Sequence, residues 1–175
     1  MYGTLMALMR LIHILAGIFW VGATLFLAGF LVPAIQAVGP SARAVMSQLM
    51  QQRRLQLWIN VAMTLTILAG FVLFAMDSRA AGGGFGRSRM GITLSIGALL
   101  AIAAAGVGGA VGKRTGQKLG ELAQRMDEAQ RTGAAPPADL VAQAAPLQAK
   151  LAGALKIMSW LLVLSAATMA VARYL

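Results

Sequence analysis

Four strongly apolar, uncharged stretches divide the 175-residue chain, at residues 11–42, 55–76, 90–112 and 157–172. A helix needs about 20 apolar residues to cross a hydrocarbon layer of roughly 30 Å, so the first three stretches are long enough alone. The fourth gains the needed length as 151–172 when Lys156 is admitted and its ammonium extends toward the headgroups. The sequence therefore predicts an all-α, integral membrane four-helix bundle, one transmembrane domain over 1–175. Its spans fall at about 5–32, 55–76, 90–112 and 151–173, with a cytoplasmic helical hairpin at 113–150 between helices three and four.

Composition narrows the function classes. With 59% hydrophobic and 11% charged residues, the apolar positions lie in blocks rather than in an amphipathic repeat. The net charge of +10 comes from 15 Lys and Arg residues placed mostly between or at the ends of the spans, with no basic stripe interleaved with aromatics. That pattern excludes a nucleic-acid surface and fits membrane topology and anionic lipid. The absence of cysteine excludes disulfides, thiolate metal sites and thiol nucleophiles. No Lys or Arg precedes Arg10, and the first apolar run is too long for a cleaved leader, so the N-terminus is expected to remain as an anchor. Arg43, Arg53, Arg54, Lys113, Arg114, Lys118, Arg125, Arg131 and Lys150 fall on one side; Arg10, Arg79, Arg87, Arg89 and Arg173 fall on the other. The positive-inside rule then places the two larger loops in the cytoplasm and both termini outside.

Local signals refine this plan. Pro33, which lacks an N–H, is expected to end the first helix at Val32. Ser41 is placed to cap a short helix through Met46 and Leu49. The loop at 77–89, with Gly82, Gly83, Gly84 and Gly86, is expected to be flexible, and without a following Lys-Ser or Lys-Thr it is no phosphate-binding loop. On the third helix, Gly97, Ala101, Ala105 and Gly109 recur every fourth residue, and Gly108, Gly112, Gly116 and Gly120 form a second row. Small residues at this spacing let backbones approach closely, which suits packing within the bundle or binding of a second copy or a partner membrane subunit. Beyond Gly112 the chain becomes amphipathic through Leu119, Leu122 and Met126, breaks at Gly133 and Pro136-Pro137, and returns as a helix capped by Asp139 and kinked by Pro146.

Chemistry concentrates on the first helix, which carries the only histidine. One face reads Met6, Met9 or Arg10, His13, Gly17, Trp20 and Thr24. Imidazole and thioether are ligands for Cu(I), and a neutral imidazole ligates haem iron. Met6, Met9 and His13, at offsets of three and four, point the same way and form the candidate metal site. Gly17 would leave room for a flat macrocycle such as haem b or for a neighbouring helix, Trp20 would flank it, and Arg10 would pair with an anionic group such as a haem propionate. The plainer reading is a histidine bonded to a neighbouring helix, with Met as gap-filler and Trp and Arg as interface anchors. Asn60, Thr64, Thr93, Ser95, Ser159, Ser165 and Thr168 read as structural hydrogen-bonding groups. No carboxylate lies inside the four runs, which disfavours classical ion-coupled transport.

The segment Leu11-Ile-His-Ile-Leu-Ala-Gly-Ile-Phe-Trp-Val-Gly22, with His13, Gly17, Trp20 and Gly22 in register, resembles the first-helix signature of the copper-resistance D (CopD) family. It also resembles the first helix of HemJ-type protoporphyrinogen oxidases, and Met50-Gln-Gln-Arg-Arg-Leu55 is similar to the basic start of their second helix. The hairpin through Pro136-Pro137 and the end at Ala172-Arg173-Tyr174-Leu175 look like bacterial four-helix members of this group. The resemblance implies copper passage across the inner membrane on the CopD side and haem-associated oxidation on the HemJ side, with His13 on the motif histidine of both. The sequence thus points first to a CopD-like bacterial inner-membrane protein handling copper or haem near the outer face. The alternative is a non-catalytic scaffold or accessory subunit of a membrane complex, and the third reading is a HemJ-type oxidase.

Overall fold

The computed structural model describes residues 2–38, 42, 45, 46, 48–131 and 137–175, and these residues contain helices and turns but no strand. The chain opens with α1 (Tyr2–Phe26), passes through a π-helical turn (Leu27–Leu31) and continues as α2 (Val32–Val38). After a second π turn (Gln48–Gln52) comes α3 (Leu55–Ala80). A short 3₁₀ turn (Phe85–Arg87) leads to α4 (Arg89–Val107), which passes through a third π turn (Gly108–Gly112) into α5 (Lys113–Arg131). The last helix, α6 (Ala138–Val171), ends in a 3₁₀ turn (Ala172–Tyr174).

Four helices in this arrangement are long and apolar enough to cross a membrane. Only 17% to 28% of the residues in their most apolar windows are buried within the chain, so apolar side chains cover the outside as well as the inside. A water-soluble bundle turns a polar face outward; this one turns out Phe30, Leu99 and Trp160. The helices alternate in direction, and α1 packs most extensively on α3 while α4 packs equally extensively on α6. Weaker contacts of α1 with α6 and of α3 with α4 close the ring. At its centre Trp20, Leu27, Ile59, Ala62, Ala101, Ala104 and Leu162 form the core.

The first helix does not stop before Pro33. The π turn just ahead of the proline, where Val32 N–H reaches back to the Leu27 carbonyl, widens the ladder at the carbonyls that the Pro33 ring would meet, and the helix runs on to Val38. α6 likewise runs through Pro146. Its N-cap is Pro137, whose carbonyl accepts from Leu140 and Val141, so Asp139 lies in the first turn rather than capping it. The expected cap at Ser41 lies outside the described residues, as does Gly133.

The glycine-rich loop is built by specific bonds rather than left as open coil. Gly83 N–H reaches the Ser78 carbonyl and Gly82 N–H the Arg79 carbonyl, a Schellman closure that needs the positive φ of 61° at Gly82. Phe85 then turns inward, its ring 5.5 Å from that of Phe74 in an edge-on contact. Ser88 caps α4, its hydroxyl accepting from Gly91 N–H at 3.0 Å and donating to the Phe85 carbonyl at 2.7 Å.

Part of the small-residue pattern of the third span, at Gly97 and Gly108, is taken up by the chain's own fourth span. A Cβ at Gly97 would stand 2.8 Å from Met169 Cγ, one at Gly108 2.9 Å from Met158 Cε, and Ser165 donates its hydroxyl to the Gly97 carbonyl at 2.7 Å. The buried positions are Gly97, Ala101 and Ala104, because a contact face follows 3.6 residues per turn and a strict fourfold spacing drifts away from it. Ala105 is half-buried and Gly109 has open space where its Cβ would lie. A Cβ at Gly91, by contrast, would overlap the Phe85 carbonyl. Gly91→Ala is therefore expected to destabilise the fold by about 1–3 kcal/mol through overpacking. Gly109→Ala should be neutral or stabilising by about 0.5–1 kcal/mol from lost backbone freedom. Thermal unfolding of the two variants in one detergent checks the contrast.

Candidate functional site

Helix α1 lays a single face on α3. Met6, Met9, His13, Ala16 and Gly17 are half-buried and Trp20 and Thr24 are buried, whereas Leu11, Ile14, Leu15 and Ile18 are exposed. His13 therefore looks into the bundle. Its Nδ1 lies 2.7 Å from the backbone carbonyl oxygen of Thr66. A carbonyl oxygen only accepts, so Nδ1 carries the proton and donates it, and in the neutral ring Nε2 keeps its lone pair. Metal-ligating histidines use this same division: one ring nitrogen donates to a carbonyl and fixes the tautomer, and the other is left basic.

Two residues of α3 make the contact possible. Gly70, one turn beyond Thr66, has no side chain in the way; a Cβ there would stand 3.0 Å from His13 Cε1 and 3.2 Å from Nδ1. The Thr66 hydroxyl turns back to the Ala62 carbonyl at 2.7 Å, which keeps it off its own carbonyl. Neither residue is singled out by the sequence reading. The signal was present, since Ala62, Thr66 and Gly70 recur every fourth residue as the small positions of the third span do.

The other residues of the sequence-derived site separate into distinct roles. Arg10 lies beside an acid: its guanidinium is 4.0 Å from Asp77 Oδ1, the residue just past the second apolar run. With the two side chains 57% and 23% exposed, the pair is worth about 0–1 kcal/mol in water. The Tyr2 hydroxyl ties the same end by donating to the Met76 carbonyl at 2.9 Å. Trp20 is 1% exposed in the centre of the core, about 10 Å along the helix axis from His13. Its indole N–H has no partner among the described residues.

The macrocycle expectation meets a packing obstacle. The space over Gly17 is filled by Thr66, whose Cγ2 lies 3.6 Å from where a Gly17 Cβ would be, an ordinary van der Waals contact. With one histidine in the chain, a second imidazole on the opposite haem face is absent as well. A cavity of about 70 Å³ lies toward the opposite end of the bundle, among Thr24, Gln56, Gly108 and Met158, and holds waters at most. These residues do not fit a porphyrin between α1 and α3.

A small soft cation is a different matter. On the regular α1 helix Met9 stands one turn and Met6 two turns from His13, all on the half-buried face. Among the described residues no group of three or more His, Cys, Asp or Glu side chains comes together. The donors this face offers are thus one imidazole and two soft thioethers, a set suited to Cu(I) rather than to magnesium or calcium. The chain matches no known family, no curated protein and no solved structure.

The His13–Gly70 contact generates its own test. Gly70→Ala is expected to cost about 1–2 kcal/mol by pushing the ring off the Thr66 carbonyl. Gly17→Ala should be tolerated, since its methyl group would only touch Thr66. In the His13→Ala background the Gly70→Ala cost should vanish, and a double-mutant cycle on unfolding midpoints reads that coupling directly.

Proposed function

We propose that this chain is a multi-pass protein of the bacterial inner membrane, with both termini outside, that handles Cu(I) near the outer face through His13, Met9 and Met6. One observation carries the reading: the sole imidazole faces the bundle with its Nδ1 proton held by the Thr66 carbonyl, which leaves Nε2 as a neutral donor on the face that carries two thioethers. The likeness of the His13, Gly17, Trp20 and Gly22 pattern to the CopD family adds support, because that group is implicated in copper passage.

Copper is here the cargo. Nε2 and the thioethers are uncharged, so they replace water around Cu(I) without adding an anion that would have to be desolvated with it. Met9 and His13 are one turn apart and hold the ion; Met6, one turn nearer the end of the bundle, offers a thioether at the approach. The Arg10–Asp77 pair sits beside that approach and balances its own charge, so a cation entering there meets no net repulsion. The extended apolar exterior supports embedding in lipid, and the excess of Lys and Arg in the two larger loops supports the orientation.

Purified protein in reducing buffer should retain stoichiometric Cu(I) by elemental analysis. His13→Ala should lose it and Met9→Leu should weaken it by about tenfold. Thr66→Val, which removes the hydroxyl and keeps the carbonyl, should leave binding intact. Equal copper in the parent and His13→Ala proteins, or a Soret absorption band in place of copper, contradicts the reading.

A further inference from the structure

Helix α3 turns an amide outward. Gln56, Asn60 and Thr64 are all exposed and recur every fourth residue, so they form one row on the side away from the interior face of Ile59, Ala62, Thr66 and Ala69. Exposed Leu57, Val61, Leu65 and Leu68 surround the row. Asn60 sits six residues past Arg54, about 9 Å along the axis, and its side chain is too short to reach the headgroups as a lysine does.

Hydroxyls in the spans bond to carbonyls of their own helix or a neighbour: Thr24 to Trp20, Thr66 to Ala62, Ser159 to Leu155 and Ser165 to Gly97. An amide has more donors than this device can absorb. Asn60 Oδ1 accepts from Gln56 Nε2 at 3.1 Å, and its main-chain carbonyl takes the Thr64 hydroxyl at 2.9 Å. Its Nδ2 finds no acceptor among the described residues. In hydrocarbon such an unpaired donor is costly and is met by another helix. A surface groove of about 260 Å³ beside it, lined by Asn60, Val61, Thr64 and Leu65, leaves room for the side chain of a partner.

We infer that a second copy of this chain covers this face, with the two Asn60 amides paired across a two-fold axis along the membrane normal. A carboxamide is self-complementary: each Nδ2 donates to the other Oδ1, whose second lone pair is still free. Copies inserted in the same sense are related by an axis normal to the bilayer, and a residue near that axis meets its own counterpart. On α4, the other surface suited to close helix contact, the Gly97 and Gly108 positions are already covered by α6. The inference rests on the membrane embedding proposed above and is independent of copper.

The absence of cysteine makes the test clean. Full-length chains with a single cysteine, Thr64→Cys in the amide row or Leu99→Cys on the outward face of α4, are oxidised in carbonate-washed membranes. Thr64→Cys should give a disulfide dimer and Leu99→Cys should not. Adding Asn60→Leu should lower the Thr64→Cys dimer yield about tenfold, while Asn60→Gln, which keeps the amide, should preserve most of it. Equal yields at the two cysteines, no effect of Asn60→Leu, or cross-linking of Thr64→Cys to a different protein overturns the inference. Release of the chain by the carbonate wash would instead defeat the membrane reading, so the two failures are told apart.

Discussion

Access of a polar side chain to a backbone carbonyl on the neighbouring helix organises this bundle. Its two extensive interfaces, α1 with α3 and α4 with α6, each contain at least one such bond, among them His13 to the Thr66 carbonyl and Ser165 to the Gly97 carbonyl. A helical carbonyl is shielded by the side chain one turn further on, and at both places that residue is small, Gly70 after Thr66 and Ala101 after Gly97. The small residues do two things at once. They let the backbones approach closely, and they expose an acceptor that the facing helix can use.

The polar groups differ in how much of their hydrogen-bonding capacity such contacts use. Hydroxyls have one donor and spend it on a carbonyl, so the donors of Thr24, Thr66, Ser159 and Ser165 are used by the fold. Imidazole and carboxamide carry more capacity than one bond absorbs. His13 keeps the Nε2 lone pair after its Nδ1 proton is committed, and Asn60 keeps donors after its oxygen is engaged. On α3 the Thr66 carbonyl and the Asn60 side chain are about 120° apart around the axis, so the acceptor of His13 and the exposed amide lie on different surfaces of one helix.

Much of the architecture was legible from hydropathy, since blocks of apolar residues longer than a bilayer is thick leave few alternatives to spanning helices. The ends of the spans were less so. Pro33 is a helix breaker locally, but a π turn that no residue pattern announces carries the helix past it. The glycines at 82–86 suggested a slack loop, yet Gly82 supplies a left-handed closure and Gly91 admits the Phe85 carbonyl. At the site, His13 was conspicuous as the single imidazole, whereas its acceptor was invisible because a backbone carbonyl has no residue type. The partners of Arg10 and Gly17 were likewise hidden in one dimension: Asp77 stands 4.0 Å from the Arg10 guanidinium, and Thr66 packs beside Gly17.

The central claim is that the His13 ring is held inward in one tautomer, its Nδ1 proton on the Thr66 carbonyl and its Nε2 bare. Nitrogen-15 magnetic resonance of the ring, with the full-length chain labelled at histidine and reconstituted in lipid bilayers without metal, measures this directly. The account predicts a protonated Nδ1 and an unprotonated Nε2 for the neutral ring. A neutral ring with the proton on Nε2, or an even mixture of the two tautomers, would contradict it.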